Sequence, residues 1–382
     1  MSTLKVDGIR SNSATSDAIT LASNGTCTAN ITNNLSNRNK VINGSMICSQ
    51  RGSSLAYTGS TNAYLIDRFK FLNAHDGAST VSQSSTSPDG FSNSLKVDVT
   101  TADTSLAVSQ FSNLGHRIEA QNLQDLGYGT SGAKTITVSF YVRSNKTGNY
   151  VFNIQQADNS YKQVSQTYTI NSADTWERKT FSFAGDTSGV INNDNGSGLE
   201  LYWWLAAGTI YTSGSSRSTY TTYANGDAAA GQAVNLFDST SNEWYITGVQ
   251  LEVNSSGVAT DFEHRSFGQE LALCQRYYAM IAEGQNSIIG QAWTTGSNFY
   301  SSIDLPVVMR ATPTMEVSNW TNAFRAYGPS GGINVSTLAL NSESRNNRVL
   351  VNQVGNPGAG ATLRVYDADS GVYGKLAFTA EI

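Results

Sequence analysis

Apolar and polar residues alternate along most of this chain. Lys134 to Val142 reads KTITVSFYV, Tyr150 to Ile154 reads YVFNI, and Tyr168 to Ile170 continues the pattern. A strand points successive side chains to opposite faces, so this two-residue period is what half-buried strands require. Gly, Asn and Ser, the residues of turns, separate the alternating runs. From Lys40 to about Arg265 the spacing predicts many short strands folded into a two-sheet sandwich of jelly-roll type. Farther on, about eight more strands are predicted: Tyr277 to Ile281, Ser287 to Trp293, Phe299 to Leu305, Thr314 to Val317, Val335 to Leu340, Val349 to Val354, Thr362 to Tyr366 and Gly374 to Thr379. They suffice for a second sandwich. The absence of a fixed-period repeat argues against a parallel β-helix.

Helical periodicity breaks in once, at Ser266 to Tyr278 (SFGQELALCQRYY). Ser266 and Gln269 have capping-box spacing, which predicts a short helix acting as a joint between domains. Before Asn39, apolar residues such as Val6, Ile9, Ile19 and Leu21 are thinly spread among Ser, Asn, Thr, Asp and Gly. Such a segment cannot close a core alone, so it is either disordered or ordered by neighbouring chains, and an oligomeric arm is the expectation. A chain of 382 residues also exceeds one ordinary core. The expected organisation is all-β: an N-terminal oligomerisation and attachment arm over 1–38, a central jelly-roll-like β-sandwich over 39–265, a helical joint over 266–278 and a C-terminal β-sandwich over 279–382.

Composition narrows the chemistry. Charged residues make up only 14% and the formal net charge is -5, with no Lys/Arg cluster among aromatics, so nucleic acid is not an expected partner. Met1 to Ile9 lacks the pattern of a secretory signal, and no apolar run approaches a membrane span, so membrane insertion is not expected either. The three cysteines, Cys27, Cys48 and Cys274, lie far apart, outside disulfide-framework or metal spacing, and read as core thiols.

Three blocks carry a resemblance: Asn39 to Gly52 (NKVINGSMICSQRG), Tyr64 to Phe69 (YLIDRF) and Tyr245 to Tyr278 (YITGVQLEVNSSGVATDFEHRSFGQELALCQRYY). They resemble the receptor-binding fibre proteins of tailed bacteriophages, especially those of marine hosts. Farther on, only Leu305 to Pro313 (LPVVMRATP) looks like that family. The middle domain, with its opening Asn-Gly strand, its SFYV and YVFNI strands, Trp176 before Phe181 to Phe183, and the closing YITGVQLEV, also resembles a carbohydrate-binding module. The fibre resemblance implies a homotrimeric virion component, assembled in the host cytoplasm and anchored to other virion proteins through its N-terminal arm. It would adhere to a host-surface polysaccharide or lipopolysaccharide without catalysis. A purely structural fibre or head decoration protein, and a polysaccharide depolymerase, are the alternatives.

The candidate glycan contacts are aromatic, because aromatic rings stack on the apolar faces of sugars. Tyr202, Trp203 and Trp204 are consecutive, and a Tyr-bearing loop from Thr209 to Gln232 follows with Tyr211, Tyr220 and Tyr223. Adjacent strand residues face opposite ways, so Trp203 and Trp204 cannot share one core; one of them faces outward or sits under the loop. Trp320 and Tyr327, near Asn and Gly turns, are candidates for a distal site, while Trp293, Phe299, Tyr300, Phe324, Tyr366 and Tyr373 read mainly as core. His75, His116 and His264 have no metal or nucleophile partner at recognisable spacing, and His264 reads as a hydrogen-bonded structural residue at the joint. Asp186, Asp194 and Glu200 are carboxylates a depolymerase would use, although no rule of spacing pairs them. Neither Asp367-Ala368-Asp369 nor Asn192 to Asn195 has calcium-loop spacing, and Gly355 to Gly360 lacks the Lys of a phosphate loop. No cofactor, metal or catalytic residue is expected.

Overall fold

The computed structural model describes residues 6–13, 15, 17–21, 23–25, 27–29, 37–254, 257–284, 287–295, 298–318, 324–329, 331–335, 338–354, 358, 360–365 and 374–382. The chain is all-β, and every paired strand is antiparallel to its neighbour. The central domain is a sandwich of two six-stranded sheets. One runs, edge to edge, Glu177–Phe183, Ile136–Ser144, Glu243–Val253, Ser94–Thr101, Ala78–Ser84, Ser54–Thr58. The other runs Lys162–Ile170, Gly148–Gln156, Ser197–Ala207, Phe111–Glu119, Phe69–Ala74, Asn62–Tyr64. Several successive strands cross between the sheets, as in a jelly roll: Phe111–Glu119, Ile136–Ser144 and Gly148–Gln156 alternate sides. Val138, Phe140, Phe152, Phe181, Trp203 and Trp244 from the two inner faces fill the core between them.

The C-terminal domain packs a three-stranded sheet (Tyr278–Glu283, Lys375–Thr379, Thr314–Ser318) against a seven-stranded one. The larger sheet runs Gly331–Val335, Phe324–Gly328, Ala361–Val365, Ile288–Thr295, Asn298–Asp304, Arg348–Val354, Ala339–Leu340. Phe299, Ile303, Phe324, Val351, Leu363 and Phe378 lie between the sheets. Two details differ from the alternation reading. The stretch predicted as one strand, Val335 to Leu340, is the end of Gly331–Val335 and the separate strand Ala339–Leu340. Phe324–Gly328 is an additional strand, because its alternate burial, Phe324 and Ala326 in and Arg325 and Tyr327 out, is too short and too polar to stand out in sequence.

In the arm, Gly8–Ile9, Ile19–Leu21 and Cys27–Ala29 form a small antiparallel sheet, an order the sparse apolar pattern did not specify. Val6, Ile9 and Leu21 remain exposed on it. The joint helix spans Phe267–Gln275 and carries the capping box, with the Ser266 side chain accepting from the Gln269 backbone and the Gln269 side chain accepting from the Ser266 backbone. Glu270 and Cys274, one turn apart, face inward. Glu270 accepts from the Asn43 backbone at 2.5 Å, and Cys274 packs with Ile42 and Cys48, so the core-thiol reading of Cys48 and Cys274 holds.

The two sandwiches meet over buried charge. Arg68 is fully buried, pairs with Glu381, donates to the Arg117 carbonyl at 2.7 Å and lies 3.4 Å over the Tyr277 ring. Arg51 reaches Glu381 at 3.2 Å and Asp67 at 3.6 Å while lying 3.6 Å over Tyr278. The Gln50 amide bridges Asp67 and the Tyr278 carbonyl, both at 2.8 Å. Glu119 takes a bidentate pair from Arg276 at 2.8 Å, and Arg310 exchanges hydrogen bonds with Asn195 at 2.8 and 2.6 Å. Such planar, two-point pairings fix orientation as well as distance.

Burial pushes the Asp67 carboxyl up to about 6, although the Gln50 hydrogen bonds and the Arg51 charge pull it down. The folded chain therefore keeps this proton to a higher pH than the unfolded chain, and the Asp67 contribution to stability falls as pH rises from about 4 to about 6. His75 works in the opposite direction over an overlapping range, since burial lowers it to about 4 and stability is lost as pH drops below its ordinary 6.5. Urea unfolding of the wild type and of Asp67→Asn isolates the first effect. The stability difference should move in favour of the variant by ~2–3 kcal/mol between pH 4 and pH 7; a difference independent of pH refutes it.

Candidate functional site

The seven-stranded sheet commits one face to the core and leaves the other open. Ala292, Phe299, Ile303, Val349, Val351 and Leu363 point inward. The intervening residues, Trp293, Tyr300, Ser302, Asp304 and Arg348 among them, therefore point out, as the pleat dictates. Trp293 and Tyr300 are direct cross-strand partners, and their rings stack with centroids 5.8 Å apart and planes 20° from parallel. Trp293 is 45% exposed, which for so large an apolar ring leaves a face open to a ligand.

Beside this pair opens a pocket of about 480 Å³ lined by Trp293, Ser302, the strand residues Arg348 and Leu350, and the turn residues Glu343, Arg345 and Asn347. That volume lies within the roughly 300–1,000 Å³ typical of small-ligand sites. The turn is built rather than loose. Ser344 is buried, its hydroxyl accepts from the Leu350 backbone at 3.1 Å, and Asn341 Oδ1 accepts from the Glu343 backbone at 2.9 Å. From behind, the Asn346 and Asn347 carbonyls accept from Met309 and Leu305 at 2.7 and 3.1 Å. Arg345 Nη1 donates to the Ser344 carbonyl at 3.0 Å, and Arg348 Nε pairs with Asp304 at 2.6 Å on an exposed surface. Apolar ring, fixed donors and one carboxylate together suit a polyhydroxylated ligand: the ring stacks on carbon-bound hydrogens while the polar groups address hydroxyls.

Two strands away on the same face lies Tyr327, one of the predicted glycan contacts. Arg325 and Arg364 sit 5.1 and 5.4 Å from its ring centroid. Tyr327 pairs with Thr362, and strand spacing places its Cα on the order of 12 Å from that of Trp293. Trp320, Tyr366, Tyr373, Asp367 and Asp369 lie outside the described residues.

The other aromatic candidates fare differently. Trp203 is completely buried among Phe69, Phe140 and Phe152, so it is a core residue and not a ligand contact. Trp204, on the opposite face of its strand, sits beneath the loop against Phe111, Tyr211, Ala228 and Ala229. The loop itself is clamped to the sheet edge, with Gln163 and Thr221 exchanging backbone hydrogen bonds at 2.8 and 3.0 Å and Asp227 holding Ser215 and Arg217 at 2.8 Å. Tyr220 turns edge-on to Tyr128 and its hydroxyl is buried, which withdraws it as well. Tyr211 is half-buried against Phe111, and Tyr223 is exposed. Loop closure over apolar surface, which alternation cannot reveal, is the reason Trp204 and Tyr220 are covered.

His264, expected to be a hydrogen-bonded residue at the joint, packs against Phe91 and Phe262 at 5.2 and 4.9 Å. His116 is buried with Nε2 3.2 Å from the Ile42 carbonyl, and burial next to Arg68 holds it neutral, well below its ordinary pKa. Each carboxylate named for a hydrolase is engaged. Glu200 pairs with Arg117 at 3.0 Å and receives the Tyr202 hydroxyl, and Asp194 caps the Gly196 backbone at 2.8 Å. Asp186 is buried, yet hydrogen bonds from Ser188, Lys162 and Gln156 bring it down to about 2, the direction opposite to that of a general acid. Among the described residues no group of three or more His, Cys, Asp or Glu could hold a metal ion, and no helix is long and apolar enough to cross a membrane. A second concavity of about 530 Å³ lies at the joint, beside Arg51, Tyr64 and Tyr278, where the arginine is already taken by Asp67 and Glu381.

Similar solved structures are carbohydrate-binding proteins and a tailspike domain. A putative sugar binding protein from Bacteroides thetaiotaomicron matches at 13% identity and a TM-score of 0.32, over 56% of this chain and 100% of its own. The C-terminal family 22 carbohydrate binding module of Clostridium thermocellum Xyn10B matches at 13% and 0.30, over 58% and 98%. The enzymatically active domain of bacteriophage CBA120 tailspike protein 4 matches at 13% and 0.30, and the match spans 59% of this chain but 24% of the tailspike chain. Likeness at that level carries no functional argument, and the site stands on its own geometry. No family model matches the chain, and no curated protein matches it in sequence.

The two tryptophans separate stability from binding. Trp203→Ala should cost ~3–5 kcal/mol in chemical unfolding followed by circular dichroism, as expected for a large core ring. Trp293→Ala should stay within ~0.5–1 kcal/mol of the wild type. Equal losses at both positions would place Trp293 in a core.

Proposed function

We propose that the chain is a non-catalytic subunit of a phage virion fibre that adheres to a host cell-surface glycan through the outer face of its C-terminal sheet. The observation that carries this reading is the exposed Trp293–Tyr300 stack beside the polar turn of Glu343, Arg345 and Asn347. Exposed, preorganised aromatic surface next to convergent donors and acceptors is what sugar recognition requires. The three sequence blocks that resemble phage fibre proteins supply the biological setting. The arm, with Val6, Ile9 and Leu21 exposed on a sheet too small to bury them, supports assembly through neighbouring chains as a homotrimer. Repeated copies convert weak single contacts into firm adhesion.

Binding of purified full-length protein to host surface polysaccharide, measured by calorimetry, tests the reading. Trp293→Ala should weaken binding roughly tenfold or more, the scale of an aromatic hot spot. Full binding by that variant moves the site elsewhere, and no binding by the wild type favours a purely structural subunit. Sizing the polysaccharide after incubation should show unchanged length; shortened product makes the chain a depolymerase. Immunolabelled virions in the electron microscope should carry the chain on a surface fibre.

A further inference from the structure

Among the described residues, the outer face of the C-terminal sheet carries more guanidinium groups than carboxylates, on an acidic chain. The chain as a whole carries a formal net charge of -5. On this face, among the described residues, stand four guanidinium groups, Arg325, Arg345, Arg348 and Arg364, against two carboxylates, Asp304 and Glu343. Their distribution matters more than their number. Asp304 is committed to Arg348 at 2.6 Å, while Arg345, in the pocket wall beside Trp293, donates to the Ser344 and Ser342 carbonyls at 3.0 and 3.5 Å. Those carbonyls orient the guanidinium without neutralising it, and among the described residues it has no carboxylate partner.

We infer that this face selects an anionic glycan, with Arg345 receiving a carboxylate or phosphate of the sugar whose ring stacks on Trp293. The inference rests on the glycan-binding reading and adds to it the charge class of the ligand. A guanidinium presents its donors in a planar fork that matches a two-oxygen anion, and its position is already set by the turn. Arg364, beside Tyr327 on the same face, extends the positive surface along the strands toward a neighbouring sugar. Neutral glycans satisfy the ring but leave this charge without a counterpart.

The test uses the full chain on an array that pairs each uronate-bearing glycan with its methyl ester, together with phosphate-bearing glycans and neutral ones. Signal confined to acidic members, and lost on esterification, supports the inference; retention on phosphate-bearing members alone identifies phosphate as the anion. Equal signal on esters, or a preference for neutral members, overturns it while leaving glycan binding intact. No signal on any glycan, host polysaccharide included, overturns the underlying reading as well. Affinity for an acidic hit should fall with added salt. Arg345→Gln should weaken that affinity roughly tenfold and flatten its salt dependence, with Arg345→Lys recovering part of both. Unchanged affinity and salt dependence in Arg345→Gln, in a protein that unfolds like the wild type, also overturns the assignment.

Discussion

Buried charge at a single place decides how the two sandwiches are joined. Arg51, Asp67, Arg68 and Glu381 come from three separate stretches of chain, and each is largely removed from water. A charge in that situation is costly unless its partner is present. Parting the domains would take Glu381 from Arg68 and leave a guanidinium on a site shaped for an ion pair, with the Arg117 carbonyl and the Tyr277 ring as its remaining contacts among the described residues. Arg68 also adopts a left-handed backbone, with φ at 72°, which a non-glycine residue keeps only when its surroundings over-determine it. The open face of the C-terminal sheet is therefore presented at a set orientation to the central sandwich.

The segments that resemble phage fibre proteins gather at this joint. Asn39 to Gly52 supplies Asn43, Gln50 and Arg51; Tyr64 to Phe69 supplies Asp67 and Arg68; the long block ends in Glu270, Arg276, Tyr277 and Tyr278. Even Leu305 to Pro313 contributes Arg310, which holds Asn195 and the carbonyls of Ala380 and Glu381. A sandwich core accepts many combinations of apolar residues of suitable volume, whereas a buried ion-pair cluster demands particular side chains at particular places. Those blocks therefore coincide with the residues that couple the domains. The resemblance does not locate the proposed binding surface, whose residues Trp293, Tyr300 and Arg345 lie outside those blocks.

Aromatic residues divide by what the chain lays over them. Trp203 and Trp204 are neighbours on one strand, yet one closes the central core and the other is roofed by the loop that follows. Trp293 stands on a strand whose outer face is crossed by no such loop among the described residues, and it stays exposed. Exposure here follows from topology and not from residue type. Adhesion would exploit the place where the fold leaves an aromatic ring uncovered and a charged turn beside it.

By itself, the sequence determined the all-β class, the two sandwiches and the capped helix between them. Those features are local: a two-residue period, turn residues and Ser266-to-Gln269 spacing act over a few residues. It also determined that Trp203 and Trp204 part company, since a strand cannot send both to one face. Only the tertiary structure decided which aromatic rings meet solvent, because burial depends on loops and on strands distant in sequence. It brought Arg51, Arg68 and Glu381 together across more than three hundred residues. It also set Trp293 beside Arg345, two positions that no periodicity links and that only cross-strand register and a pinned turn bring to one pocket.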